Sequence, residues 1–196
     1  MDTRANEPRM TLAEFLRWDD GTDARYELVD GRIVGVAPPN DAHGTIVMNI
    51  GFAIRSQLRP PCRVAAEAGI LRPNRDDSYY VADLGATCGP AADRRQHLPE
   101  PVLIVEVLSP LTEDHDRGRK VPDYREIPSL QEILVVASQE RRVELWRREG
   151  DRWRVEGRVE DLIGEATVRL ASCDASIPLA AIYAHVDLGG SAQQAS

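Results

Sequence analysis

The chain has 196 residues, a formal net charge of −8, 42% hydrophobic residues and 29% charged residues. This composition is ordinary for a globular protein with a sizeable core, and the acidic balance argues against a protein that coats nucleic acid without specificity. We expect one domain over residues 10–186, between a flexible N-terminus (1–9) and a disordered tail (187–196).

The cations and the cysteines limit the class of protein further. Lys120 is the only lysine among 24 lysine and arginine residues, so lysine is not a general surface residue in this chain. Cys62, Cys88 and Cys173 have no C-x-x-C spacing, which predicts free thiols in a reducing cytosol rather than a disulfide framework or a zinc site. No signal-like apolar segment opens the chain, and no apolar run approaches the ~20 residues of a membrane span. We therefore expect a cytoplasmic protein.

The first part of the chain alternates helix and strand signals. A T-x-x-E capping box at Thr11 opens a short helix. Two short strand signals around Asp30–Gly31 predict a β-hairpin, and alternation alone directs Glu27, in its first strand, towards solvent. A helix from about residue 41 to 58 follows, with His43 at the N-terminal end of its apolar stripe. A histidine in that position is often structural.

Two consecutive strands in the middle of the chain each carry one acid. Asp83 lies at or near the end of the strand at 79–84, and Glu106 interrupts the apolar run that begins at Pro101. Two carboxylates on neighbouring strands repel each other unless a cation lies between them, and such oxygen ligands favour Mg²⁺ or Mn²⁺. Taken alone, Glu106 also fits a structural role, satisfied by a helix N-terminus or an arginine.

The remaining signals complete a mixed order of helices and strands. Pro122 fits the first turn of a helix that begins near Val121, which places Lys120 just before that helix. Three strand signals follow, at residues 133–136, 143–146 and 153–156. Together these elements predict an α/β (α+β) fold.

Several motifs, taken together, resemble the Uma2 family of restriction-endonuclease-like proteins, within the PD-(D/E)xK nuclease fold. They are TLAEFL, RYELVDGRIV, NDAHGTIV, YYVADLGATC, LIVEVLSP, DRGRK, IPSLQEILVV and RRVELWRR, and they cover about residues 10 to 185. The specific part is EVLSP followed by D-R-G-x-K. The resemblance implies a restriction-endonuclease-like core, in which helices flank a central mixed β-sheet.

The resemblance also implies which residues are catalytic. The acid of the family's P-D pair matches Asp83, although Ala82 stands in place of the proline. The strand's glutamate matches Glu106. The nuclease pattern expects a lysine two residues later, where this chain has Leu108, and in the family that lysine has moved to the position of Lys120.

The implied activity is metal-dependent hydrolysis of DNA phosphodiester bonds. In it, Asp83 and Glu106 hold Mg²⁺ or Mn²⁺, Lys120 orients the water or stabilises the pentacovalent charge, and Glu27 and His43 are accessory residues lining the site. The alternatives are a non-catalytic nucleic-acid or protein-binding module on the same fold, or a phosphodiesterase with another substrate. A nuclease that cuts both strands needs two sites, so we expect a homodimer, and no membrane partner.

Overall fold

The computed structural model describes residues 9–90, 95–109, 116–158 and 166–188. The expected flexible N-terminus and disordered tail lie almost wholly outside these ranges. Within them, no helix is long and apolar enough to cross a membrane.

Eight strands form one mixed sheet, and two further strands form a small antiparallel sheet. The large sheet contains β1 (Arg25–Val29), β2 (Arg32–Val36), β3 (Arg63–Leu71), β4 (Tyr79–Thr87), β5 (Pro101–Leu108), β6 (Glu132–Ala137), β7 (Val143–Glu149) and β8 (Arg152–Arg158). Its order is β2-β1-β4-β5-β6-β7-β8, with β3 paired to β4, and only β5 and β6 pair in parallel among the described strands. The small sheet pairs β9 (Thr167–Leu170) with β10 (Ala175–Pro178). The predicted central mixed sheet is therefore confirmed.

Short helices and one long helix flank this sheet. The α-helices are α1 (Leu12–Phe15), α2 (Asp41–Gln57), α3 (Val121–Tyr124) and α4 (Leu179–Ile182). The predicted capping box is present: Thr11 Oγ1 accepts the N–H of Glu14, whose carboxylate accepts the N–H of Thr11. Asn40 caps α2 by accepting the N–H of His43. Local side-chain chemistry thus fixes where both helices begin.

The two faces of the large sheet carry separate apolar clusters. One face packs under α2, whose Ile46, Ile50 and Ile54 are fully buried at helical spacing. The other face is covered by α3 and the residues after it, where Tyr124 and Ile127 are buried. Burial on both faces explains why the sequences of the central strands are nearly continuous apolar runs.

Alternation along β5 decides which face receives its acid. Leu103, Val105 and Val107 belong to the cluster under α2, and Ile104 belongs to the cluster under α3. Glu106 shares the parity of Ile104 and so points to the α3 face, towards the segment that carries the only lysine.

The prediction of free cysteines is wrong for two of the three. Cys62 and Cys88 form a disulfide, whereas Cys173 is a buried free thiol. Arg63 pairs with Thr87 across β3 and β4, so the cysteines one residue beyond this pair also lie opposite each other. The disulfide depends on strand register, which cysteine spacing alone does not reveal.

Packing of α2 on the sheet predicts a difference between two of its residues. Ile50→Ala leaves a cavity under the helix and should lower the free energy of unfolding by about 2–5 kcal/mol. Phe52→Ala, on the same helix at a position that is 75% exposed, should change it by less than about 0.5 kcal/mol. Urea unfolding followed by circular dichroism measures both, and equal losses would contradict this packing.

Candidate functional site

The two acid-bearing strands, β4 and β5, are neighbours, as predicted from the sequence. Their paired register begins with Leu84 opposite Val105, so Asp83 and Glu106 lie at the end of that register. There the Asp83 side chain takes the place of a backbone acceptor, because its Oδ2 accepts the N–H of Val107 at 2.7 Å. Both acids line one cavity of about 600 Å³.

Strand β3 is distorted beside the same cavity. Ala66 and Ala68 keep a regular register with β4, but Glu67 between them has a φ of 50°. This left-handed conformation is uncommon for a residue with a side chain and occurs often at functional sites. Glu67 lines the cavity, as does Arg25, with which it forms an ion pair.

Lys120 lies among the acids. Its Nζ is 2.8 Å from Oε1 of Glu27, 3.2 Å from Oδ1 of Asp116 and 3.7 Å from Oε1 of Glu106. The ammonium also donates to the carbonyl of Val81 at 3.4 Å. With 6% of its surface exposed, Lys120 acts as a buried counter-charge for three carboxylates rather than as a surface residue.

A π-helical turn, Asp116–Lys120, brings the lysine to this position. The turn runs directly into α3, where Pro122 lies in the first turn, as predicted. π-Helical turns are rare and are frequent at functional sites. Here the turn lets the side chains of Asp116 and Lys120 meet over the sheet.

Glu27 is buried, so the solvent-facing orientation predicted from alternation is wrong. Only 2% of its surface is exposed, and its Oε1 accepts the N–H of Val81 at 2.9 Å in addition to contacting Lys120. A prediction from alternating polarity assumes that one face of the strand is exposed to solvent. Its neighbour Leu28 is also fully buried, because β1 is covered on both faces at this point.

His43 belongs to the site through Asp83. Its Nε2 lies 3.3 Å from Oδ1 of Asp83, and both side chains line the cavity. Burial alone would lower the pKa of His43, but the hydrogen bond and the negative charge of Asp83 outweigh it and raise the pKa above its ordinary value. The carboxylate therefore shifts the protonation equilibrium of the imidazole towards the charged form.

The electrostatics of Glu106 show how crowded the acids are. Burial raises the pKa of Glu106 well above its ordinary value; Lys120 opposes this shift, while the charges of Asp83 and Asp116 add to it. The hydroxyl of Tyr124 donates to Oε1 of Glu106 at 2.6 Å and fixes its orientation. Ionisation of Glu106 therefore costs free energy unless a further cation lies nearby.

The acids around Lys120 stabilise its positive charge. Burial would lower the pKa of Lys120, but the charges of Glu106, Glu27 and Asp116 raise it above its ordinary value. The ammonium form is therefore retained inside the protein.

The acids of the site supply part of the coordination that a divalent ion requires. Among the described residues, no three His, Cys, Asp or Glu side chains are spaced to hold an ion by themselves. Mg²⁺, however, commonly takes one or two protein carboxylates and completes its shell with water and substrate phosphate, and Asp83 and Glu106 provide two. Such an ion would also offset the excess negative charge near Lys120, which comes from Glu27, Asp83, Glu106 and Asp116.

All five residues predicted from the sequence come together in the structure. Four of them line the cavity, and Glu27 contacts Lys120 beside it; the four are His43, Asp83, Glu106 and Lys120. The sequence analysis missed Asp116. Its signal was an acid four residues before the lysine, a spacing at which two side chains on a helical turn can pair.

Comparison with known proteins gives the family of the chain. The model of the Uma2 family, described as "Putative restriction endonuclease", matches residues 12–175. The chain belongs to the Uma2 family. Two uncharacterized proteins of Synechocystis sp. are similar to this Uma2 chain over 147 residues each. The first is 29% identical, and the match covers 74% of this chain and 77% of the relative. The second is 25% identical, and the match covers 73% of this chain and 83% of the relative.

The fold is shared with a solved structure. A crystal structure from Anabaena variabilis, described as a putative nuclease belonging to DUF820, matches with a TM-score of 0.71 at 19% identity. The match covers 89% of this Uma2 chain and 97% of that one. At this identity the likeness concerns the fold, and it confirms the predicted nuclease-like architecture.

Crowding of the acids predicts that Glu106→Gln does not destabilise the metal-free protein. Removing the charge relieves repulsion from Asp83 and Asp116, so the melting temperature in EDTA should equal or exceed that of the wild type. The matched control is Glu132→Gln, because Glu132 is equally buried but is paired with Arg147. That variant should lose about 2 kcal/mol. A melting temperature several degrees below wild type for Glu106→Gln would make Glu106 a structural acid.

Burial of Lys120 predicts a pH-dependent loss on substitution. Lys120→Met leaves the carboxylates without their cation and should cost about 3–5 kcal/mol in EDTA at pH 8. Burial raises the pKa of Glu106, and Lys120 opposes this shift. Without the lysine the folded-state pKa of Glu106 should rise further above its unfolded value, so protonation at pH 5 should reduce the loss. Denaturant unfolding of the variant and of Arg25→Met, a half-exposed rim cation, measures this. An equal Lys120→Met loss at both pH values would indicate lost packing instead.

Proposed function

We propose that this protein is a metal-dependent endonuclease that hydrolyses phosphodiester bonds of DNA. The observation that carries the proposal is the single lysine of the chain, held by Glu27, Glu106 and Asp116 beside a cavity that Asp83 also lines. Phosphodiester hydrolysis adds negative charge to a group that is already an anion, so it requires cations at the reacting phosphate. A buried ammonium and a pair of carboxylates able to hold an ion are suited to that need.

The carboxylates of Asp83 and Glu106 would hold Mg²⁺ or Mn²⁺. The ion would supply charge neutralisation at the phosphate and a more acidic water. The protein's own part is to fix these oxygens in advance: the N–H of Val107 and the ring of His43 hold the two oxygens of Asp83, and the hydroxyl of Tyr124 holds Glu106. Preorganised ligands avoid the cost of ordering them during the reaction.

Lys120 would stabilise the phosphate as charge develops. Glu27 and Asp116 hold its ammonium in place, and its raised pKa keeps it protonated. An ammonium is a compact donor with three protons, so it can keep contacts with these acids while it donates to a phosphate oxygen. Glu27 and Asp116 act here as positioning residues.

A non-catalytic nucleic-acid or protein-binding module is the second candidate. The observation that favours it is that Lys120 already compensates part of the acid cluster, which can persist as a buried ion-pair network without a metal. This candidate predicts that Mn²⁺ changes neither stability nor DNA integrity.

Cleavage assays separate the two candidates. With Mg²⁺ or Mn²⁺, the wild type should nick supercoiled plasmid or degrade single-stranded circular DNA, and EDTA should stop the reaction. Asp83→Asn and Glu106→Gln should each lower the rate by about 100-fold or more. Glu126→Gln is the control: it makes the same kind of acid-to-amide change in a surface ion pair with Arg72, away from the cavity.

Two results would overturn the nuclease proposal. One is the absence of cleavage of either DNA by folded wild-type protein with either metal. The other is equal cleavage by the wild type and both acid-to-amide variants, which would assign the activity to a contaminant.

A further inference from the structure

The lining of the cavity combines acids with apolar residues. Residues 36–39, which end β2 and include two consecutive prolines, line it together with Val47 and Met48 of α2, and this set is called the apolar wall. Met48 is 69% exposed, so its side chain is accessible to a ligand in the cavity. Apolar surface next to a charged reacting centre points to a substrate with an apolar part beside its phosphate.

The charges of the cavity do not suit a duplex held by its phosphates. Apart from His43, the described lining holds two cations, Arg25 and Lys120, and four carboxylates. Both cations are already paired, Arg25 with Glu67 and Lys120 within the acid cluster. Duplex DNA is bound largely through Lys and Arg contacts to the phosphates of both strands, and this lining supplies few of them.

We propose, on the basis of the nuclease function above, that the substrate is single-stranded or unpaired DNA. The nucleobase next to the scissile phosphate would pack on the apolar wall of residues 36–39, Val47 and Met48. Nucleobases present aromatic faces, which pack well against thioether sulphur and against apolar side chains. Such stacking accepts any base, as in other proteins that bind single strands.

The size of the cavity agrees with this substrate. Its volume of about 600 Å³ lies within the range of roughly 300–1,000 Å³ that encloses a small ligand. Because Glu106 and Lys120 are almost fully buried, the reacting phosphate must enter the cavity. An unpaired nucleotide can do so, whereas a nucleotide within a duplex must first be unstacked. One strand needs one site for each cut, so this substrate does not require the homodimer expected for a duplex cutter.

Binding measured without turnover tests the proposal. Fluorescence anisotropy of a labelled oligothymidylate, and of a labelled duplex of the same length, is recorded with the full chain in EDTA and again in Ca²⁺. The single strand should bind at least about tenfold more tightly than the duplex. Met48→Asp should weaken its binding by about tenfold, because it removes apolar contact and adds a charge, and Met48→Leu should restore it.

Phe52→Asp is the matched control. Phe52 lies one turn further along α2, is 75% exposed and does not line the cavity, so its substitution adds the same charge to the same helix. It should change the affinity for oligothymidylate by less than about twofold. Circular dichroism confirms folding, which neither exposed position is expected to disturb.

The outcomes separate this proposal from the nuclease function. Equal affinity for duplex and single strand, equal effects of Met48→Asp and Phe52→Asp, or no binding of either DNA would overturn the substrate proposal, even if plasmid is cleaved. A preference for the single strand that depends on Met48 would support it. The same preference without cleavage under any metal would overturn the nuclease function alone and leave a single-strand binding site.

Discussion

The buried ammonium of Lys120 is the contact on which the site depends. It joins the π-helical turn, which carries both Lys120 and Asp116, to Glu27 on β1 and to Glu106 on β5. Carboxylates in an interior of low dielectric repel strongly, and a cation among them converts that repulsion into attraction. The hairpin, the central strand and the turn therefore meet at one point because one lysine lies there.

The same arrangement leaves the cluster incompletely neutralised. One ammonium faces three carboxylates directly, and Asp83 adds a fourth negative charge that raises the pKa of Glu106. A purely structural ion-pair network gains little from an excess of one sign, whereas a site that receives a divalent ion and an anionic substrate does. Lys120 compensates part of the negative charge of the cluster, and a bound cation would offset the rest.

Features that depend on local chemistry were predictable from the sequence. The capping box at Thr11, the helix 41–57, the turn position of Pro122 and the doubly buried strand around Glu106 each have a signal within a few residues. The motif resemblance added Glu27 and Lys120 to the site, which periodicity alone had not done. Family membership and the nuclease-like fold were also correctly inferred from these motifs.

Features that depend on register and layering were not predictable in this way. Cys62 and Cys88 meet only because β3 pairs with β4 in one register. Glu27 is buried against Lys120, which the π-helical turn places beside β1. An alternation pattern within β1 contains no information about that turn. Asp116 was missed because Lys120 was expected just before a helix, so its spacing of four residues from Asp116 did not suggest a shared helical turn.

Isothermal titration calorimetry with Mn²⁺ tests the central claim, that the acid cluster beside Lys120 is a metal site. We expect the folded wild-type chain to bind Mn²⁺, Asp83→Asn to lose this binding, and the surface variant Glu126→Gln to keep it. The absence of a binding isotherm for the wild type, or an identical isotherm for Asp83→Asn, would contradict it.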